Sequence, residues 1–181
     1  TSIPDQAFIW CDKITGVKIG DNVVTIGAAA FAHCRDLTDL VLGKSITSIE
    51  GAAFDDCDSK LFSGYDHLLY VRSLDNPYAI LIDTGIFQTH HTEYEIHEDT
   101  EFIAAGAMEG CTEVTELTIP KKVVSIGRSA FSFCGSLETV NILSNKITYI
   151  GRMAFYCCSD LSEITIPRKV KYIGEQAFAS C

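Results

Sequence analysis

Positive charge is scarce in this 181-residue chain: 14 Lys and Arg stand against 24 Asp and Glu, a formal net charge of −10. A nucleic-acid backbone or an anionic lipid surface would be repelled, so no nucleic acid is expected as a partner. Long hydrophobic runs are missing too. No apolar stretch approaches about 18 residues, and Thr1-Ser2-Ile3-Pro4-Asp5 has neither a basic nor a hydrophobic leader character, so no membrane insertion is expected in this segment. Proline is limited to 4 residues, and with 47% hydrophobic and 21% charged residues the chain is far from a disordered composition. Also missing are a Gly-rich phosphate loop, a Ser/His/Asp arrangement in recognisable context and a CxxC pair. Without such motifs, neither an enzymatic activity nor a cofactor is expected.

What the sequence has instead is a repeat. Seven segments end in Ala-[Phe/Met]-x-x-Cys, closing at Cys11, Cys34, Cys57, Cys111, Cys134, Cys158 and Cys181, with gaps of 23, 23, 54, 23, 24 and 23 residues. One unit reads Leu-x-x-Val-x-Ile-Pro-x-x-Val-x-x-Ile-Gly-x-x-Ala-Phe-x-x-Cys-x-x. The complete units are 14–36, 37–59, 91–113, 114–136 and 137–160, the flanks 1–13 and 161–181 are partial, and residues 60–90 form a 31-residue insertion. The chain therefore reads as a single solenoid over 1–181.

Within a unit, Leu117-Thr118-Ile119 alternates as a short strand and Pro120 ends it, because proline cannot donate to a ladder. A second extended piece, Val123-Val124-Ser125-Ile126, runs into Gly127, taken as a turn residue. Ala130, Phe131 and Cys134, at i, i+1 and i+4, fit one side of a single helical turn. A unit this short cannot bury its own apolar edge, so coils must stack, aligning Ile, Phe and Cys in columns. The expected fold class is an α/β repeat solenoid, a coil of short strands and single helical turns with one β-hairpin insertion. That hairpin is read from the runs Leu68–Val71 and Ala79–Ile82 around Asp75-Asn76-Pro77. Its strands either join the solenoid sheet or carry binding surface.

Leu117-Thr118-Ile119-Pro120-Lys121-Lys122-Val123-Val124-Ser125-Ile126-Gly127-Arg128-Ser129-Ala130-Phe131 resembles the leucine-rich repeats, and within them the BspA-like class of bacterial surface proteins and some protozoan parasites. The inserted Tyr70-Val71…Asp75-Asn76-Pro77-Tyr78-Ala79-Ile80-Leu81-Ile82 is similar to an interruption that recurs in Firmicutes members. The ninth-position column, which holds Asn or Cys in general leucine-rich repeats, here holds Asn22, Ser45, Asp99, Lys122, Asn145 and Lys169. The resemblance implies a right-handed leucine-rich-repeat-like coil and a non-catalytic protein-binding or adhesion module of a secreted or cell-surface bacterial protein, with a host or matrix protein as partner. The alternative is an architectural or intracellular scaffold that only spaces other domains.

Seven of the eight cysteines share one column beside a buried Phe. Cβ vectors that point the same way disfavour bridging, so a reduced ladder is expected, with Cys157 outside the column as the exposed thiol. His91, Glu93, Glu95 and His97 alternate as on one strand face, but the outer two would lie roughly 20 Å apart, and the reading adopted is a solvated face with no metal. His33-Cys34 as a nucleophilic pair is set aside because Cys34 belongs to the buried column.

Surface charge remains. Asp39, Glu93, Glu116 and Glu163 fall in one outward column with Glu95 and Glu138 near it, while Lys44, Lys121, Lys122, Lys146, Arg168 and Lys169 follow the strand. Coils stacked about 5 Å apart turn these into an acidic and a basic stripe. The acidic strand face is the expected partner-binding surface, suited to a basic protein. The partial units at both ends read as a piece of a longer array whose bare ends, with Phe8, Trp10, Ile166 and Ile173, would favour end-to-end self-association.

Overall fold

A computed structural model describes residues 1–84 and 92–181. In chain order its strands are β1 (Ser2–Ile3), β2 (Gly16–Lys18), β3 (Thr25–Ile26), β4 (Asp39–Val41), β5 (Ser48–Ile49), β6 (Phe62–Tyr65), β7 (Leu68–Ser73), β8 (Asn76–Asp83), β9 (Phe102–Ile103), β10 (Glu116–Ile119), β11 (Ser125–Ile126), β12 (Thr139–Ile142), β13 (Tyr149–Ile150) and β14 (Tyr172–Ile173). They wind into a β-solenoid whose coils each offer two short strands to parallel columns. The first column contains β2–β4 and β10–β12; the second contains β1–β3–β5 and β9–β11–β13–β14. Registers follow the repeat, with Leu117 opposite Val140 and Ile126 opposite Ile150. β10 stops at Ile119, immediately before Pro120.

The third side of each coil is not the expected helical turn. Among the described residues the only helical element is the 3-10 turn Ser59–Leu61, so the α/β description gives way to a β-solenoid. The Ala-Phe-x-x-Cys segment is instead a chain of tight turns. Ala30, Ala32 and Cys34 donate backbone N–H bonds three residues back, to Gly27, Ala29 and Phe31, while the intervening Ala29, Phe31 and His33 donate to Gly51, Ala53 and Asp55 of the next coil. Half of the amides thus close the turn and half stitch coils together, a division a helix cannot make because all its amides bond along its own axis. It requires left-handed backbone at Ala29 (φ 52°) and His33 (φ 61°), and the same two positions recur as Ser129 and Phe133, and as Met153 and Cys157. The expected role of Gly127 is also corrected. It avoids positive φ; a Cβ there would lie 2.6 Å from the backbone carbon of Ala104, so glycine is required by close approach of the preceding coil.

The 60–90 insertion, described up to residue 84, is an integral wall of the solenoid. It adds three strands, not two: β6, unrecognised in the sequence, pairs antiparallel with β7 through the two-residue turn Asp66-His67, both left-handed (φ 45° and 63°), as a type I′ hairpin requires. β7 pairs antiparallel with β8, and β8 pairs parallel with β9 as a solenoid strand would. The buried side chains Leu68, Tyr70 and Leu81 pack into the C-terminal core, while Leu61, Val71, Ala79 and Ile80 pack into the N-terminal one. Burial on both faces explains why these strands read as continuous apolar runs.

Along the turn side the phenylalanines stack coil on coil, Phe8–Phe31 at 5.1 Å, Phe31–Phe54 at 5.6 Å and Phe131–Phe155 at 5.1 Å between ring centroids. The cysteine column has a specific partner. Cys34 Sγ donates to the Phe8 carbonyl (3.1 Å), Cys57 to Phe31 (3.2 Å), Cys134 to Met108 (3.3 Å) and Cys158 to Phe131 (3.2 Å), each in the preceding coil. All eight cysteines are free; Cys34, Cys134 and Cys158 are buried, Cys157 is half-buried and Cys181 is exposed. Burial pushes Cys57 and Cys158 from 9.0 up to about 12. A thiol count at pH 8 on native protein is therefore expected to find Cys181 first and to miss the buried column until denaturant is added. The linkage has a definite sign. Unfolded thiols lose their protons near 9.0, while folded Cys57 and Cys158 keep theirs up to about 12. Stability should fall as pH rises between those values, because the folded state then holds more protons.

Candidate functional site

All six acidic side chains singled out in the sequence are exposed; Asp39 and Glu116 lie on strands of the first column and Glu163 bridges to it. The structure does not join them into one stripe. Asp39 opens β4, opposite Gly16, and the β7–β8 loop follows on its other side, with the Leu74 amide donating to the Leu40 carbonyl at 2.7 Å. The remaining acids lie beyond the insertion. Glu116 pairs with Thr139, and Thr139 with Glu163, so two acids flank a threonine across three coils. Glu138 precedes β12, and Asn141 Nδ2 donates to Glu116 Oε1 at 2.8 Å, fixing that carboxylate.

Glu93 and Glu95 stand one coil before β10, where the 23-residue spacing predicts a strand. No strand forms there. The segment is drawn to the insertion instead: the Asp66 carboxylate accepts the Glu95 amide, and the Tyr70 hydroxyl accepts the His97 amide at 3.1 Å. His97 does not share a face with Glu93 and Glu95. Its ring stacks on Tyr78 at 3.7 Å and meets Tyr65 edge-on at 4.7 Å, with Nδ1 accepting the Asp99 amide. The Tyr65 hydroxyl pairs with the Glu95 carboxylate, which pushes the phenol up; burial pushes Tyr70 up to about 12. Sequence reasoning missed this tyrosine nest and Asp66. The available signal was crowding, since four of the seven tyrosines lie between 65 and 94. His91 lies outside the described residues. Among the described residues no group of three or more His, Cys, Asp or Glu side chains could hold a metal ion.

Between this displaced segment and β10 lies a groove of about 800 Å³, lined by Glu93, Glu95, Glu98, Glu116, Thr118 and Lys121 among others. The basic column beside it is partly neutralised from within. Lys122 pairs with Asp99, holding that carboxyl below the usual carboxylate range, and Lys44 lies 3.9 Å from Asp21. On the turn side, His33 stacks on Trp10 at 3.9 Å and its Nδ1 lies 2.9 Å from Asp56, which also receives Arg35 at 3.0 Å. His33 is thus directed at Asp56, while the Cys34 thiol bonds to a carbonyl. No helix among the described residues is long and apolar enough to cross a membrane.

Stacked parallel columns of two- to four-residue strands, closed by Ala-Phe turns every 23 residues, define a leucine-rich-repeat β-solenoid. The chain belongs to the BspA type leucine-rich repeat family, whose model matches six copies over residues 1–67 and 82–181. It is similar in structure to a leucine rich cell surface protein from Faecalibacterium prausnitzii (TM-score 0.63, 26% identity, covering 97% of this chain and 54% of that one). A leucine-rich repeat protein from Bacteroides capillosus matches with TM-score 0.55 and 28% identity over 62% of this chain and 87% of its own. The pneumococcal vaccine antigen PcpA shares the fold at TM-score 0.57 and 20% identity, over 96% of this chain and 50% of that one. The chain spans about half the length of the Faecalibacterium protein. No match exists among the curated proteins.

Proposed function

We propose that this chain is a non-catalytic protein-binding module of a secreted or cell-surface bacterial protein, that it binds through the first strand column, and that its partner is a basic host or matrix protein. The observation that carries this reading is the gathering of exposed carboxylates beyond the insertion: Glu116, Glu138 and Glu163 at the first strand column, and Glu93 and Glu95 across the groove from it. A solenoid presents such a face as an extended surface, and surplus negative charge favours a cationic partner. Likeness to a cell surface protein from Faecalibacterium supports the location.

The test is capture of purified basic matrix proteins on immobilised chain at low and at 0.5 M salt. Binding is expected to weaken with salt, since exposed charges are screened over about 4 Å at that ionic strength. It should weaken again in a variant carrying Glu116→Gln and Glu163→Gln whose melting curve is unchanged. Salt-insensitive binding untouched by both substitutions would move the interface elsewhere on the molecule. Absence of binding to every basic protein tried would favour the scaffold role.

A further inference from the structure

The groove beside β10 occupies the position of a strand. Residues 93–96 repeat the pattern of β10 one unit earlier, Glu93-Tyr94-Glu95-Ile96 against Glu116-Leu117-Thr118-Ile119. The same burial alternation holds, with the glutamates exposed and Ile96, Leu117 and Ile119 buried. Elsewhere a 23-residue offset places two such segments in a parallel ladder, as for Val17 and Leu40. Here, among the described residues, no backbone hydrogen bond crosses from 93–96 to β10. The insertion engages that segment instead, Asp66 of the hairpin turn at the Glu95 amide and Tyr70 of β7 at the His97 amide that follows.

The free edge of β10 can be identified by alternation. The Thr115 carbonyl accepts from Thr139 (3.1 Å) and the Ile119 carbonyl from Leu143 (3.0 Å), both toward β12. Residues alternate sides along a strand, so the backbone N–H and C=O groups of Glu116 and Thr118 point into the groove. An open strand edge is a template for another chain. The charge beside it is one-sided, with Glu93, Glu95, Glu98 and Glu116 along the groove, Lys122 engaged by Asp99, and Lys121 only at the far end.

We propose that this groove binds an extended polypeptide segment of alternating basic and apolar residues, which adds as a strand to the free edge of β10. Its backbone pairs with Glu116 and Thr118. Its outward Lys or Arg side chains lie between Glu93 and Glu95 on one side and Glu116 on the other, where opposite charges on adjacent strands attract. The site refines the acidic-face reading above and rests on it.

The test uses a fluorescein-labelled eight-residue peptide of alternating Lys and Val, titrated into the whole chain and followed by anisotropy and amide exchange. Binding is expected, with slowed exchange at the Glu116 and Thr118 amides. N-methylation of alternate peptide amides on the β10-facing edge should abolish binding at unchanged charge. The triple variant Glu93→Gln/Glu95→Gln/Glu116→Gln should bind about tenfold more weakly, and Glu109→Gln/Asp160→Asn, two exposed acids that do not line the groove, should bind like the parent. A loss on Glu163→Gln with none on the triple variant would keep the acidic-face reading and overturn the groove. Undiminished binding of the N-methylated peptide would overturn strand addition. A peptide that fails to bind, while basic matrix proteins still bind the face, overturns the groove alone.

Discussion

Phe131→Ala is expected to cost about 3–5 kcal/mol of unfolding free energy, a large part of the roughly 5–15 kcal/mol of a typical domain. Phe131 is 1% exposed and stacks on Phe155 with the rings 20° from parallel. Its backbone is bonded twice to the following coil, the amide to the Ala154 carbonyl and the carbonyl to the Cys158 thiol. A cavity there cannot close without moving the coils, so the loss should approach the upper end of the range. Phe8 belongs to the same column but is 39% exposed, and Phe8→Ala should cost clearly less. Urea unfolding followed by far-UV circular dichroism measures both. Equal losses would show that position in the column, and not burial, sets the energy.

Gly151→Ala is the second large expected effect. A methyl group at this position would sit 2.5 Å from the Arg128 nitrogen and 2.5 Å from the Gly127 carbonyl carbon, both backbone atoms of the preceding coil. Neither can rotate away as a side chain could, so two coils must separate, and overpacking of this kind costs about 1–3 kcal/mol or more. Gly20 is the matched control, with nothing within 4 Å of an added Cβ. Gly20→Ala should be neutral or stabilise by up to about 1 kcal/mol through the unfolded state. Melting temperatures of the two variants should therefore move apart. A shift for Gly151→Ala no larger than that for Gly20→Ala would remove close coil approach as the reason for the glycine.

The repeat made the strand columns legible because it encodes contact directly. A residue and its counterpart 23 positions on are neighbours, so Leu117 opposite Val140 follows from spacing alone. The left-handed positions carry no such signal. Ala29, His33, Ser129, Phe133, Met153 and Cys157 share a backbone conformation but no side-chain chemistry; Gln176 and Ser180 hold it too with no amide bond to another coil among the described residues, so the tight turn itself sets φ. Helical spacing at Ala130, Phe131 and Cys134 was a fair local inference, overruled by inter-coil bonding. Gly127 was misread for a related reason, because the neighbour that demands glycine, Ala104, is 23 residues away.

The acidic residues show the same division. The exposure of Asp39 and Glu116 on their strands was legible from the period of two. The separation of the six acids into Asp39 on one side and Glu93, Glu95, Glu116, Glu138 and Glu163 on the other depends on where the insertion sits.

By itself, then, the sequence determined the coil, its 23-residue register, the stacked Phe and Cys columns and the outward acids, because all of these follow from a pattern repeated along the chain. Tertiary structure alone decided that the Ala-Phe segments are stitched turns, that the insertion is a three-stranded wall between two cores, and that residues 93–96 leave β10 for Asp66 and Tyr70. Those outcomes arise where the period is broken, and a broken period carries no information about which non-repeating partner, among many within reach, wins the hydrogen bond.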